Sequence, residues 1–381
     1  METRHFEKFD IHTSLLGFGA MRFPLAADGK IDRERSMAML KEAYDAGVNY
    51  FDTAYPYHDG ESEPFVGEFL AGLDRSTFYV ATKLPQWAVN TLDDAKRIFE
   101  EQLERLQQSS VDFYLIHSID KKAFVKMVDL GVVSYLEEEQ KRGRIKYLGF
   151  SFHSIYEDFE YITTFRPWDF IQIQYNYLDT EEQAGDKGYE LCTKLGIPVI
   201  VMEPIKGGSL TNLSPDLEGR LKALDKDATP ASFALRWVAD HQNVKVILSG
   251  MSTEEQVREN IRTFSPYKPL TAEEHSVLEE IGNIMRSRIG NSCTGCKYCM
   301  PCPFGVDIPG NFAIWNKYRM FNNYEVVKEQ WEQESEADKR PPSCTECGQC
   351  IPLCPQHIDI PSDLKRVQEE LEAARIAYYN K

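Results

Sequence analysis

An α/β chain whose eight parallel strands close into a barrel, followed by a smaller, mostly helical, cysteine-rich domain, is the architecture this sequence predicts. Three observations carry it. From residue 13 to about 250, short runs rich in β-branched and aromatic residues alternate with amphipathic stretches, which is the pattern of parallel βα units. Eight such units can be counted over ~250 residues, the arithmetic of a (β/α)8 barrel, whereas a doubly wound sheet usually stops short of eight strands. Finally, eight of the nine cysteines lie between residues 293 and 354, leaving Cys192 alone among the first 290 residues.

The expected barrel strands are 15–20, 49–52, 78–83, 111–117, 145–151, 170–174, 197–202 and 244–249. Helical patterns fill the gaps. One spans 32–46 and is ended by Gly47; another spans 93–107 with Thr91 placed to cap it. Two more, 253–262 and 272–286, complete the barrel domain, so the expected domains are 1–286 and 287–381. Within the second, the run Cys302-Pro303-Phe304-Gly305-Val306-Asp307-Ile308-Pro309 is echoed by Cys354-Pro355-Gln356-His357-Ile358-Asp359-Ile360-Pro361. Proline is tolerated in the first turn of a helix, where its missing N–H is not needed, so each copy reads as a cysteine loop feeding a helix. The segment between the copies reads as helical from 308 to 336, with Pro341 to Ser343 as punctuation.

Composition bounds the function. The chain has 381 residues, 42% of them hydrophobic, enough for one large core and a smaller unit. Its formal net charge of -17 argues against wrapping nucleic acid or lying on anionic lipid, and -15 of it falls in residues 1–286. No apolar run approaches the ~18 residues of a membrane span, and the first residues lack a signal-peptide hydrophobic stretch, so a cytoplasmic location is expected. In a reducing compartment, dense cysteines at triplet spacing point to metal thiolates rather than disulfides. Cys192 reads as a small buried apolar side chain.

Substrates of barrel enzymes meet the C-terminal ends of the strands, so polar residues there matter most. Asp52 ends the second strand, Tyr57 follows five residues later, Lys83 ends the third strand and His117 the fourth. A phenol has a reference pKa of ~10, and a buried ammonium beside it favours the phenolate and lowers that value. Tyr57 beside Lys83 is therefore the expected proton donor, with Asp52 holding Lys83 and His117 orienting a substrate carbonyl. Trp87, Tyr55, Met21 and Phe152 are expected to line an apolar pocket. The glycines of Lys206-Gly207-Gly208, after the seventh strand, would let backbone N–H groups approach a pyrophosphate.

Several motifs together resemble the aldo-keto reductases over roughly residues 4 to 285. They are Phe51-Asp52-Thr53-Ala54-Tyr55-Pro56-Tyr57 with Glu61-Ser62-Glu63 and Val66-Gly67, then Ala81-Thr82-Lys83, then Val111-Asp112-Phe113-Tyr114-Leu115-Ile116-His117. Tyr147-Leu148-Gly149-Phe150-Ser151, Gln172-Ile173-Gln174-Tyr175-Asn176, Ala234-Leu235-Arg236-Trp237 and Glu259-Asn260 continue the match. The resemblance implies a TIM barrel binding NADP or NAD without a Rossmann fold, and Tyr57, Asp52, Lys83 and His117 as the catalytic set. It implies Ser151 and Gln172 as carboxamide contacts, Met202 where an aromatic usually stacks on the nicotinamide, and Asn260 as a further cofactor contact. Basic residues that commonly grip the 2'-phosphate fall on Gly250 and Gln256, with Arg258 close by. Their loss is expected to level the affinities for the two dinucleotides or to favour NADH.

The cysteines form two runs, Cys293-x2-Cys296-x2-Cys299-x2-Cys302-Pro303 and Cys344-x2-Cys347-x2-Cys350-x3-Cys354-Pro355. The second is similar to the pattern of bacterial two-[4Fe-4S] ferredoxins, and the first has one residue fewer before its last cysteine. That resemblance implies a helical dicluster domain with one cluster on Cys293, Cys296, Cys299 and Cys354 and the other on Cys344, Cys347, Cys350 and Cys302. Two structural zinc sites are the rival reading. The expected function is NAD(P)H-dependent reduction of a small aldehyde or ketone, or oxidation of the alcohol, with the clusters serving structure or a partner redox protein such as a ferredoxin or flavoprotein. The alternative is an electron-transfer module whose barrel is a nucleotide-sensing docking unit.

Overall fold

The computed structural model describes residues 1–334 and 337–380. It divides into two compact units, one made of Met1–Lys206 and Ser232–Leu270, the other of Gly207–Ala231 and Thr271–Lys381. In the first, an antiparallel hairpin of β1 (Thr3–Phe6) and β2 (Ile11–Ser14) precedes eight parallel strands. These are β3 (Leu16–Gly19), β4 (Tyr50–Asp52), β5 (Tyr79–Pro85), β6 (Val111–Ile119), β7 (Ile145–Phe152), β8 (Phe170–Gln174), β9 (Val199–Met202) and β10 (Val244–Ser249). They close in chain order, β10 pairing with both β9 and β3. Every expected strand is present, and the hairpin is an addition the sequence reading did not include.

The barrel interior is packed. Tyr50, Ala81, Phe113, Leu115, Phe170, Ile200, Val246 and Leu248 form one buried cluster, joined by Phe6 of the hairpin. Alternate strand residues face this interior, and their neighbours face a larger apolar shell beneath the helices. The helices start where local chemistry tells them to. Asp32 caps Arg33–Asp45 by accepting from Arg35 N, and Thr91 and Asp94 form a reciprocal capping box on Leu92–Leu106.

The second unit includes two segments the sequence reading gave to the barrel domain. Helix Pro215–Leu224 packs on helix Ala272–Ser287. Arg288 donates to Ser214 Oγ (3.0 Å) and Asp216 (2.6 Å), while Arg220 pairs with Glu280 at 2.7 Å. By compactness, segments 207–231 and 271–286 group with the cysteine-rich part of the chain.

Both Cys-Pro repeats feed helices, Ile308–Phe321 and Ile360–Tyr379, capped by Asp307 and Asp359 with proline in the first turn. The helix expected to run from 308 to 336 ends instead at Asn322, which takes a left-handed conformation with φ 47. A 3-10 turn Tyr324–Val326 and a π turn Gln330–Glu334 follow; residues 335 and 336 of that expected helix lie outside the described residues. The two long helices and the π turn share one core over Phe312, Trp315, Trp331, Leu364, Val367 and Leu371. Their indoles are satisfied: Trp315 donates to Glu370 and Trp331 to Glu372. Among the described residues no helix is long and apolar enough to cross a membrane.

Candidate active site

Strand ends bring the four expected polar side chains into one place. Lys83 and Asp52 lie at the C-terminal ends of paired strands β5 and β4. Lys83 is fully buried and spends its three protons on Asp52 Oδ1 (2.6 Å), the Thr53 carbonyl (2.8 Å) and Tyr57 Oη (3.3 Å). Three donors and three acceptors close the account of the ammonium, which fixes it in orientation as well as position. The Tyr57 and His117 rings meet edge-on at 5.9 Å, and Trp87, half exposed, lies 5.1 Å from His117.

Burial dominates the electrostatics of this group. For Lys83 burial alone would lower the pKa, but Asp52 and Tyr57 together raise it above the usual lysine value, so the side chain stays an ammonium. Burial raises Asp52 against the pull of Lys83. For Tyr57, burial raises the pKa, Lys83 lowers it, and Asp52 and Glu203 add to the rise, leaving the phenol above its ordinary value of 10.0. The expectation that Lys83 brings it below that value is met only in sign: the ammonium acts in that direction and burial exceeds it. His117 is driven down to about 2, by burial first and then by the charges of Lys83 and His153, so its imidazole is neutral.

A hydrogen-bond network holds the strand that carries Lys83. Buried Glu63 accepts from Thr82 (2.6 Å), Gln102 (2.7 Å) and Arg105 (3.3 Å), and Gln102 also donates to the Lys83 carbonyl (3.0 Å). Glu63 and Arg105 are therefore tied to the site through strand β5.

The expected cofactor residues separate into two groups. Ser151 and Gln172 are opposed on paired strands β7 and β8; Ser151 Oγ accepts from Ser118 N (2.8 Å), and Gln172 Nε2 reaches Met202 Sδ at 3.4 Å. Among the described residues, Gln172 Oε1 is buried without a hydrogen-bond partner, as are Asp52 Oδ2 and His117 Nδ1. An orphaned amide oxygen beside Met202 suits an incoming carboxamide N–H, so these residues fit the nicotinamide end of a dinucleotide.

The basic residues are committed elsewhere. Lys206 bonds both oxygens of buried Asp179 (2.7 and 2.6 Å), which also takes Gln174 and Asn176. Arg258 grips Glu42 (2.7 and 3.2 Å). Gln256 accepts from Ser252 N (2.7 Å), and Asn260 donates to Ser249 Oγ (2.9 Å). Gly207, at the start of the second unit, has φ 61. Asp179 was missed by the sequence reading, although Asn176-x2-Asp179 carries a turn signal: Leu178 N and Asp179 N both donate to Asn176 Oδ1. Of the expected pocket aromatics, Trp87 stands at the site. Phe152 instead packs under the helices, and Tyr55 donates to Glu101 with Arg105 over its ring, because a strand's alternation turns Phe152 away from Ser151.

The thiols line two cavities. Cys293, Cys296, Cys299 and Cys354 face one, with Pro309, Phe312, Ile358 and Ile360. Cys302, Cys344, Cys347 and Cys350 face the other, with Phe304, Leu353 and Leu364; Cys299 and Ile308 belong to both walls. None of the eight is in a disulfide among the described residues. Among the described residues no three cysteine, histidine, aspartate or glutamate side chains gather as a ready single-ion site. Four thiols at the wall of one apolar cavity and five at the other, Cys299 being shared, are a donor set suited to iron–sulfur clusters.

Comparison with known proteins agrees with this geometry. The aldo/keto reductase family model matches residues 15–283, and that of a 4Fe-4S dicluster domain matches residues 292–359. L-galactose dehydrogenase of Arabidopsis thaliana is 26% identical over 313 residues, covering 74% of this chain and 96% of its own. NADH-specific methylglyoxal reductase of Escherichia coli (strain K12) is 29% identical over 297 residues, covering 66% and 90%. Among solved structures, aldo-keto reductase AKR11C1 from Bacillus halodurans in its holo form superposes with a TM-score of 0.60 at 27% identity, covering 74% of this chain and 96% of that one.

Proposed function

The chain belongs to the aldo/keto reductase family and carries a 4Fe-4S dicluster domain, and from that premise we propose that it reduces a small aldehyde or ketone, with Tyr57 as the proton donor. The observation that carries the reading is the buried ammonium of Lys83, bonded at once to Asp52, the Thr53 carbonyl and Tyr57. The nicotinamide dinucleotide, when bound, supplies the hydride.

The chain's own groups do the rest. A phenol whose pKa lies above the ordinary value keeps its proton at neutral pH, which suits an acid that gives it to a carbonyl oxygen. Lys83 stabilises the charge left on Tyr57 once the proton has gone, through the hydrogen bond it already makes. His117 is neutral, so it orients the carbonyl by hydrogen bonding without competing as an acid. Gln172, Ser151 and Met202 seat the nicotinamide. In the second unit, the crossed cysteine sets would hold two clusters that pass single electrons, each set completed by the last cysteine of the other motif.

A barrel used only for docking has no need of this desolvated ion pair, which favours catalysis over the alternative of a nucleotide-sensing module. Replacement of Tyr57 by phenylalanine tests the reading, since it keeps the ring and removes the acid. Carbonyl reduction, followed as NADH or NADPH consumption, should fall by ~10²-fold or more while nucleotide affinity is kept. Near wild-type turnover would exclude Tyr57 from the role.

A further inference from the structure

We propose that Arg22 is the cation that holds a phosphate of the dinucleotide in this chain. The inference rests on the nucleotide binding proposed above and goes beyond it in naming a residue from the first βα loop.

Three of the cations flanking the nucleotide strands are already neutralised. Lys206 sits on Asp179, Arg258 on Glu42, and Arg35 makes two bonds of 2.9 Å to Glu254. Arg22 is different. It is exposed in the loop after β3, and its guanidinium has no hydrogen-bond or ion-pair partner among the described residues. Its backbone is nonetheless fixed, because Ser252 Oγ donates to the Arg22 carbonyl at 2.8 Å.

Gly250 explains how the arginine gets there. Strands β3 and β10 are paired, with Phe18 opposite Ser249, so the loops that leave them run side by side. A Cβ at position 250 would stand 2.8 Å from Arg22 Cγ and 3.1 Å from Arg22 Cβ. The glycine leaves space that the arginine stem fills, and the charge expected on one loop is supplied from the other. The next segment opens helix Glu254–Thr263, capped by Thr253, and Arg35 cancels the charge of its first-turn Glu254. A phosphate beside Arg22 would meet a planar fork of donors next to the positive end of a helix.

Two phosphate groups share this chemistry: the 2'-phosphate, present only in NADPH, and the pyrophosphate, present in both dinucleotides. Equilibrium binding of NADPH and NADH to the anaerobic full chain, with its clusters in place, separates them. Arg22→Gln keeps the stem over Gly250 and removes the charge. It should weaken at least one dinucleotide about ten- to a hundredfold, with unchanged circular dichroism and cluster absorption. Arg22→Lys should recover part of the loss, because a point charge replaces the fork. Loss confined to NADPH assigns the 2'-phosphate, and equal loss on both assigns the pyrophosphate; either supports the proposal. Unchanged affinities in Arg22→Gln, or a larger loss in Arg258→Gln, would overturn it. Failure of the wild-type chain to bind either dinucleotide would overturn the nucleotide reading and this proposal together.

Discussion

At Tyr57 and its neighbours the types of side chain and their places on strand ends were legible in the sequence, whereas the balance of forces among them was not. Residue order says that an ammonium stands by a phenol; only the depth of the socket says that burial exceeds its pull. Removing the cation should therefore cost folding as well as turnover. Lys83→Met leaves Asp52 buried without its partner and should lower the barrel's stability by ~3–5 kcal/mol, measured by anaerobic urea unfolding, with Asp52→Asn in the same chain recovering a large part. His117 offers a pH test. Its folded pKa is about 2 against 6.5 for a free imidazole, so below 6.5 the unfolded chain takes up a proton that the folded one refuses. Its contribution to stability is complete above 6.5 and declines as pH falls through that window. Its ring resonances should stay those of a neutral imidazole at pH 4, and titration near 6.5 would contradict the burial that governs the site.

At the scale of elements, strands and capped helices were readable because their signals are local: β-branched runs, and Asp or Thr at helix starts. Of what escaped, one feature has a short local signal and another is set by a partner distant in sequence. The 308–336 run contains no proline after its first turn, yet the helix stops at Asn322, where the amide side chain tolerates the left-handed turn and Asn323 then caps the following one. The Asn-Asn pair was the available signal. Gly67 is the feature that depends on a distant partner. It sits in helix Ser62–Ala71, where an added Cβ would lie 2.4 Å from the Arg105 carbonyl in the facing helix Leu92–Leu106. Alanine is the better helix former, so intrinsic propensity predicts a gain of ~1 kcal/mol. The backbone contact predicts a loss instead, ~1–3 kcal/mol, because neither helix can move without straining its bed. Chemical denaturation of Gly67→Ala decides between the two signs.

For the whole molecule, the number and spacing of the cysteines were visible from sequence, and the crossed grouping is what the resemblance implies; in the folded chain Cys354 lines a cavity with Cys293, Cys296 and Cys299. The extent of the second unit was not visible, because segments 207–231 and 271–286 carry ordinary barrel-like helical patterns. Crossing makes a spectroscopic prediction. If the sets are crossed as proposed, Cys354→Ser should perturb the cluster that Cys293, Cys296 and Cys299 would hold, and Cys302→Ser the one that Cys344, Cys347 and Cys350 would hold, as read by Mössbauer or EPR spectra of the two variants. Damage confined to each serine's own sequence neighbours would mean two independent sites, and zinc in place of iron would end the electron-transfer reading. The shared wall also bears on biosynthesis. A nascent chain that has emerged as far as Cys302 carries three of the thiols of the first cavity but lacks Cys354, Ile358 and Ile360, which close it. The first cavity is complete only once residue 360 has been made and the second only once residue 364 has, so any metal cluster the thiols take up must wait for nearly the whole polypeptide, and a stalled or truncated product would expose uncovered thiols to whatever metal or oxidant the cell contains.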